Sequence, residues 1–130
     1  MLIRGILNPQ ILSLIARVRH TNTLVIADRG FPFWPTVETV DISLVDGVPT
    51  VLQVLAAVRE NFVVGGALMA KEFLAHNDEV DKTAFSQALA GVPVRYEPHE
   101  SGFKPHVPRA IGLIRTGDTI PYSNVILTSA

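Results

Sequence analysis

Four consecutive apolar residues, Leu24-Val25-Ile26-Ala27, stand between a histidine and a carboxylate in the segment Arg19-His20-Thr21-Asn22-Thr23-Leu24-Val25-Ile26-Ala27-Asp28-Arg29-Gly30-Phe31-Pro32. A short run without polar interruption reads as a strand buried on both faces, which needs a sheet covered on both sides. In open α/β sheets such strands deliver polar side chains into a ligand crevice at their carboxyl ends. Asp28 holds that position, and a Gly/Pro loop follows it. Carboxylates at strand ends are also common turn formers, so the surrounding residues must decide between the two roles.

The rest of the chain alternates helical and extended patterns. Asn8 suits the cap and Pro9 the first turn of a helix with Ile11, Leu12, Ile15 and Ala16 on its apolar face, running to about Arg19. Alternation of Val40, Ile42 and Leu44 with polar residues predicts a strand from Val37 to Leu44, and Asp46-Gly47 turns the chain. Val51, Val54, Leu55 and Val58 predict a helix from near Pro49 or Thr50, closed by Asn61. The run from Phe62 to Leu74 fits either a strand or the start of a helix; a strand into about Ala70 is preferred. Asn77 is the expected cap of a third helix, with Asp78, Glu79 and Asp81 in its first turn and Gly91 past its end. Val94 and Tyr96 suggest another strand. Pro98, Pro105 and Pro108 leave His99 to Arg109 mostly loop, with at most a short helix. The final pair is Ala110 to Arg115 and Asn124 to Thr128, around a turn at Thr116-Gly117-Asp118.

This order implies a three-layer α/β/α domain with a mostly parallel sheet and an antiparallel member near a C-terminal hairpin. A length of 130 residues suits a single domain, 1–130. The balance of 11 Lys and Arg against 12 Asp and Glu lacks the basic excess that nucleic acid or an anionic membrane requires. Neither is expected as a partner. No apolar run approaches the ~18 residues of a membrane span, and the start, Met1-Leu2-Ile3-Arg4-Gly5, carries no signal pattern. The absence of cysteine excludes disulfides and thiolate nucleophiles and fits a cytoplasmic protein. With 48% hydrophobic and 18% charged residues, the chain has more apolar surface than a small monomer readily hides. Phe31-Pro32-Phe33-Trp34-Pro35 is the expected exposed patch, as a subunit contact or as a lid.

Common cofactor and nucleophile signatures are missing. No G-x-G-x-x-G follows the first strand, no P-loop lysine exists, and no serine sits in a G-x-S-x-G elbow. The histidines, His20, His76, His99 and His106, form neither H-x-H nor H-E-x-x-H, so no metal is expected. His76 reads as a surface residue beside the helix cap, and His106 as exposed or lining a pocket. What remains is acid and base chemistry. Histidine, with an ordinary pKa of ~6.5, gives and takes protons at neutral pH without a cofactor. Opening an aldose hemiacetal needs that service: a base for the anomeric hydroxyl, an acid for the ring oxygen, and polar groups for the other hydroxyls.

Separated blocks of the chain resemble the D-ribose pyranase and L-fucose mutarotase family. They are Gly5-Ile6-Leu7-Asn8-Pro9-Gln10-Ile11, then His20 through Pro32, Val40-Asp41-Ile42, Gly47-Val48-Pro49 with Gln53-Val54-Leu55, Ile114-Arg115-Thr116-Gly117-Asp118, and Pro121-Tyr122-Ser123-Asn124-Val125-Ile126-Leu127. The resemblance implies a cofactor-independent isomerase of sugar ring forms or anomers, in a cytoplasmic ring-shaped homo-oligomer, often a decamer. It implies His20 as catalytic proton donor, and Asp28, His99, Tyr122, Ser123 and Asn124 as residues that bind a monosaccharide such as D-ribose or L-fucose. The spacing from Asp28 to Asp41 and the Gly47-Val48-Pro49 block are closer to ribose pyranases.

Two departures stand out. After His99-Glu100 the chain has Ser101-Gly102-Phe103-Lys104-Pro105, which is expected to be less helical and one residue longer than the family pattern. It stops at Ala130, short of the family's apolar tail, which is expected to alter subunit packing. The competing class is a non-catalytic sugar-binding protein associated with transport, against which a titratable His20 argues. If Asn22 to Ala27 is one straight strand at ~3.3 Å per residue, His20 and Asp28 lie on the order of 20 Å apart. Either the segment bends after His20 or neighbouring subunits share the site; the shared site is the expectation.

Overall fold

Strand β1 (Thr23–Ala27) lies inside the sheet with Leu24 and Ile26 in one core and Val25 and Ala27 in another, all 0% exposed. This explains its unbroken apolar sequence. The computed structural model describes all of residues 1–130. The other strands are β2 (Thr39–Asp41), β3 (Val64–Ala70), β4 (Val94–Glu97), β5 (Gly112–Arg115) and β6 (Val125–Ser129). They form one sheet in the order β2-β5-β1-β6-β3-β4, and β6 alone runs against the others. The expected three-layer α/β arrangement with a mostly parallel sheet is present.

The layers are unequal. Helices α1 (Pro9–Ile15), α2 (Val51–Arg59), α3 (Lys71–His76) and α4 (Glu79–Ala88) all feed the larger core, through residues such as Leu14, Leu55, Phe73 and Phe85. Each large apolar side chain buried there is worth about 1.5–3 kcal/mol relative to exposure. The opposite face is covered by Phe31 and Val37 from a loop, and by Phe103 and Val107 from a π-helical turn (His99–Phe103) and a 3₁₀ turn (Lys104–Arg109).

Several boundaries differ from expectation, each for a local reason. Helix α1 stops at Ile15, because Arg17 and Val18 donate only three residues back, to Leu14 and Ile15, and tighten the exit toward β1. Strand β2 is short because the Asp41 carboxylate accepts the Ser43 N–H at 3.0 Å and folds the chain away from the sheet. Asp78, not Asn77, caps α4 by accepting the Asp81 N–H at 2.9 Å. Asn77 instead closes α3, a helix concealed in the apolar run ending at Leu74, and donates to Phe73 O and Pro121 O, both at 2.9 Å.

The C-terminal strands form no hairpin, since β1 lies between β5 and β6, with Leu24 opposite both Gly112 and Leu127. The connection crosses the end of β1, where the Thr116 N–H and Oγ1 both donate to Ala27 O, at 2.9 and 2.8 Å. The segment expected to be mostly loop is helical from His99 to Arg109. There Gly102 N–H and Phe103 N–H both donate to Pro98 O, at 2.8 and 2.9 Å. That shared acceptor is the signature of a π-helical turn, one residue wider than an α-helical one.

Candidate active site

Because β6 is antiparallel, its first residues meet the carboxyl ends of β1, β3 and β4 at one edge of the sheet. Asp28 follows β1, His99 follows β4, and Tyr122-Ser123-Asn124 leads into β6. Asn124 Oδ1 accepts the Asp28 N–H at 2.7 Å. Asp28 Oδ1 accepts the Gly30 N–H at 3.0 Å, which turns the chain toward Phe31. Behind this loop Arg29 N–H donates to Asp118 O at 3.1 Å. The buried Asp118 carboxylate also takes the Val51 N–H at 2.8 Å, at the start of α2.

His99 sits in an aromatic enclosure. Its ring stacks on Phe103 at 5.7 Å and 17°, and meets Phe31 at 6.1 Å and Tyr122 at 5.2 Å in edge-to-face geometry. Its backbone N–H donates to the Glu72 carboxylate, at 2.9 and 3.2 Å to the two oxygens. Tyr122 is held at φ 56°, a left-handed conformation uncommon for a residue with a side chain. His99 Nδ1 and Ser123 Oγ are buried without a hydrogen-bond partner in the chain, as is Trp34 Nε1 nearby. Buried polar atoms are rarely left so, and two of these belong to the predicted sugar-binding residues.

Opposing influences act on the two shifted groups of the site, Asp28 and His99. Burial pushes the Asp28 carboxyl up and the Asp118 charge adds to it, while hydrogen bonds from Gly30, Asn124 and Phe31 pull the other way. Burial, and then the Lys104 cation, holds His99 below its ordinary 6.5; Glu100, Glu72 and Asp28 oppose them. At neutral pH the imidazole is therefore uncharged, with one nitrogen to donate and one to accept. Lys104 itself is tied to Glu100 at 2.6 Å.

Thus Asp28, His99, Tyr122 and Asn124 converge, Ser123 lies fully buried between the last two in sequence, and His20 does not join them. His20 is exposed in a turn at the opposite end of β1, where Thr21 N–H donates to Ser129 O and Arg19 N–H to Asn22 Oδ1. A five-residue strand separates it from Asp28, roughly 16 Å of extended chain. His106 lines a different space, a cavity of about 230 Å³ shared with Arg95, Arg109 and Thr21 on the thinly covered face. His76 is exposed, as the sequence suggests, yet its ring lies 5.2 Å from that of Tyr122. Nowhere do three His, Asp or Glu side chains converge as metal ligands would. The aromatic loop divides: Phe31 is 4% exposed against His99 and Phe103, whereas Phe33 is 67% exposed.

Sequence reasoning missed Glu72, Phe103 and the contacts of α3, and expected Phe31 to be exposed where it is buried. A six-residue helix has too few turns to show periodicity, and the acceptor of a distant backbone N–H has no sequence signature.

The whole chain, residues 1–130, matches the model of the RbsD / FucU transport protein family. A D-ribose pyranase of Halalkalibacterium halodurans is 41% identical over 96% of this chain and 94% of its own length. A D-ribose pyranase of Geobacillus kaustophilus is 39% identical over 96% and 90%. The structure of Bacillus subtilis RbsD complexed with D-ribose superposes with a TM-score of 0.92 at 32% identity, covering 100% of this chain and 98% of that one. The fucose mutarotase of Streptococcus pneumoniae in complex with L-fucose shares the fold, with a TM-score of 0.76 at 18% identity over 95% and 92%. With sequence match, fold and order of motifs in agreement, this chain belongs to the RbsD/FucU family.

Proposed function

We propose that the protein is a cofactor-independent aldose isomerase of the D-ribose pyranase type, which interconverts ring forms of a monosaccharide by acid and base catalysis. The observation that carries this reading is the convergence of Asp28, His99, Tyr122 and Asn124 at one sheet edge. The similarity to D-ribose pyranases favours D-ribose as substrate. In the proposed reaction the anomeric hydroxyl loses a proton as the ring C–O bond breaks and the ring oxygen gains one. The open aldehyde then recloses through a different hydroxyl or on its other face. Uncharged His99, Tyr122 and Asn124 offer both donors and acceptors to the hydroxyls, and Asp28 is an acceptor when ionised.

The proton is assigned to His20, supplied by a neighbouring subunit, because the chain's own His20 lies at the far end of β1. A closed homo-oligomeric ring of ten chains in the cytoplasm completes the proposal. The exposed apolar side chains Ile3, Leu7, Phe33, Leu44 and Val45, 61–95% accessible, are consistent with burial between subunits. The second reading, a sugar-binding protein linked to transport, draws on the family's description. Saturation-transfer NMR on D-ribose, L-fucose and galactose separates the two. Exchange between ring-form signals is expected to rise with protein for at least one sugar. Binding with no enhanced exchange for any of them would favour the transport-linked reading.

A further inference from the structure

We infer that α3 is the positioning element of the site and that His76, at its last turn, is a positioning residue acting through Tyr122. This rests on the functional reading above. Three contacts from one six-residue helix and its cap reach both sides of the site. At the start of α3, Glu72 holds the His99 backbone N–H with both carboxylate oxygens. At its end, the Asn77 amide donates to Phe73 O in α3 and to Pro121 O, the residue before Tyr122, so the helix and the loop are tied together. Between these, the His76 ring lies 5.2 Å from Tyr122 with the planes tilted by 36°.

Tyr122 needs such support. A non-glycine residue at φ 56° persists only where its surroundings fix it. Its ring neighbours two imidazoles, His99 edge-on and His76 closer to parallel, each at 5.2 Å. His99 is anchored through its backbone and by stacking on Phe103, whereas His76 is exposed and free to be replaced without disturbing a core. Removing the His76 ring leaves Tyr122 free to swing away from His99, which weakens the grip on a sugar hydroxyl without removing the proton donor. An aromatic pair of this kind contributes an effect on the order of 3- to 10-fold in an equilibrium.

The test compares His76→Ala and His76→Phe in the full-length assembled protein, using D-ribose. His76→Ala is expected to raise KM about 3- to 10-fold with kcat changed less than 2-fold, and His76→Phe, which restores a ring, to return KM to the wild-type value. Wild-type KM in His76→Ala, an equal defect in both variants, or a loss confined to kcat would overturn the assignment. A sugar-free readout separates this inference from the functional reading. Nuclear Overhauser contacts between the Tyr122 and His99 rings are expected to weaken in His76→Ala and persist in His76→Phe. If wild-type protein neither binds nor interconverts a sugar, the functional reading fails, and unchanged ring contacts in His76→Ala independently reject the positioning role.

Discussion

Asn124 and Asp28, 96 positions apart in sequence, are joined by a 2.7 Å hydrogen bond from the Asp28 N–H to the Asn124 amide oxygen. The bond spans the ends of β1 and β6 and exists because β6 runs antiparallel beside β1. One side chain thus sets the backbone that carries the site's carboxylate. Asn124→Ala leaves the Asp28 N–H without its partner in a part-buried position, and is expected to lower stability by about 1–3 kcal/mol. Ribose exchange should fall with it. Urea midpoints and saturation-transfer rates measure the two effects, and wild-type values for both would show the bond to be dispensable.

The separation of His20 from Asp28 within one chain leads to a test of the shared site. His20→Ala is expected to reduce the exchange rate by about 10²- to 10⁴-fold, with sugar affinity changed far less. His20→Ala and Asp28→Asn chains, each inactive alone, should recover part of the activity when dissociated and reassembled together. Mixed oligomers as inactive as the parents would overturn the shared site.

The depressed basicity of His99 has a definite sign. Burial and Lys104 hold its folded value below the 6.5 of a free imidazole, so between those two values the unfolded chain binds more protons than the folded one. His99's contribution to stability is therefore full above pH 6.5 and declines as pH falls through that window. Asp28 opposes it, because its raised value favours the folded state as pH falls toward it. For binding, the uncharged imidazole persists below 6.5, so ribose affinity is expected to hold from pH 8 to 6.5 and weaken only in more acid solution. Calorimetric titration across this range checks the prediction, and an acid limb centred above 6.5 would contradict the neutral-His99 assignment.

Gly102 lies inside the turn that carries His99. A Cβ there would come within 2.6 Å of Glu97 Cβ, 2.7 Å of Glu97 Oε2 and 3.3 Å of Pro98 Cδ. The carboxylate can move aside, but the β-carbon and the proline ring cannot. Gly102→Ala is expected to destabilise the protein by about 1–3 kcal/mol through overpacking and to weaken ribose binding by shifting His99. Thermal unfolding and the ribose Kd give the two outcomes; an unchanged melting temperature would show that the π-helical turn relaxes freely.

Much of the fold was legible along the chain because the signals are local. Leu24 to Ala27 announced a doubly buried strand, Val51, Val54, Leu55 and Val58 an amphipathic helix, and Asn8-Pro9 a capped start. Thr50 does cap α2, with Gln53 completing a reciprocal pair of hydrogen bonds. Strand order was not legible. Whether β5 and β6 pair with each other or flank β1 depends on contacts between distant segments, and a Thr116-Gly117-Asp118 turn looks the same in either case.

The candidate site divides along the same line. By itself, the sequence determined which residue types are present and where each falls relative to a strand: Asp28 after one, His99 after another, Tyr122 to Asn124 before a third. Tertiary structure alone decided that these meet, because the reversed direction of β6 brings a strand's beginning to the edge where three others end. It also decided that Glu72, His76 and Asn77 attend them from α3, and that His20 stands apart. The physical reason is range: side-chain periodicity and capping act over a few residues, while the pairing of β1 with β6 joins residues about a hundred positions apart through a register that the packing of the whole sheet selects.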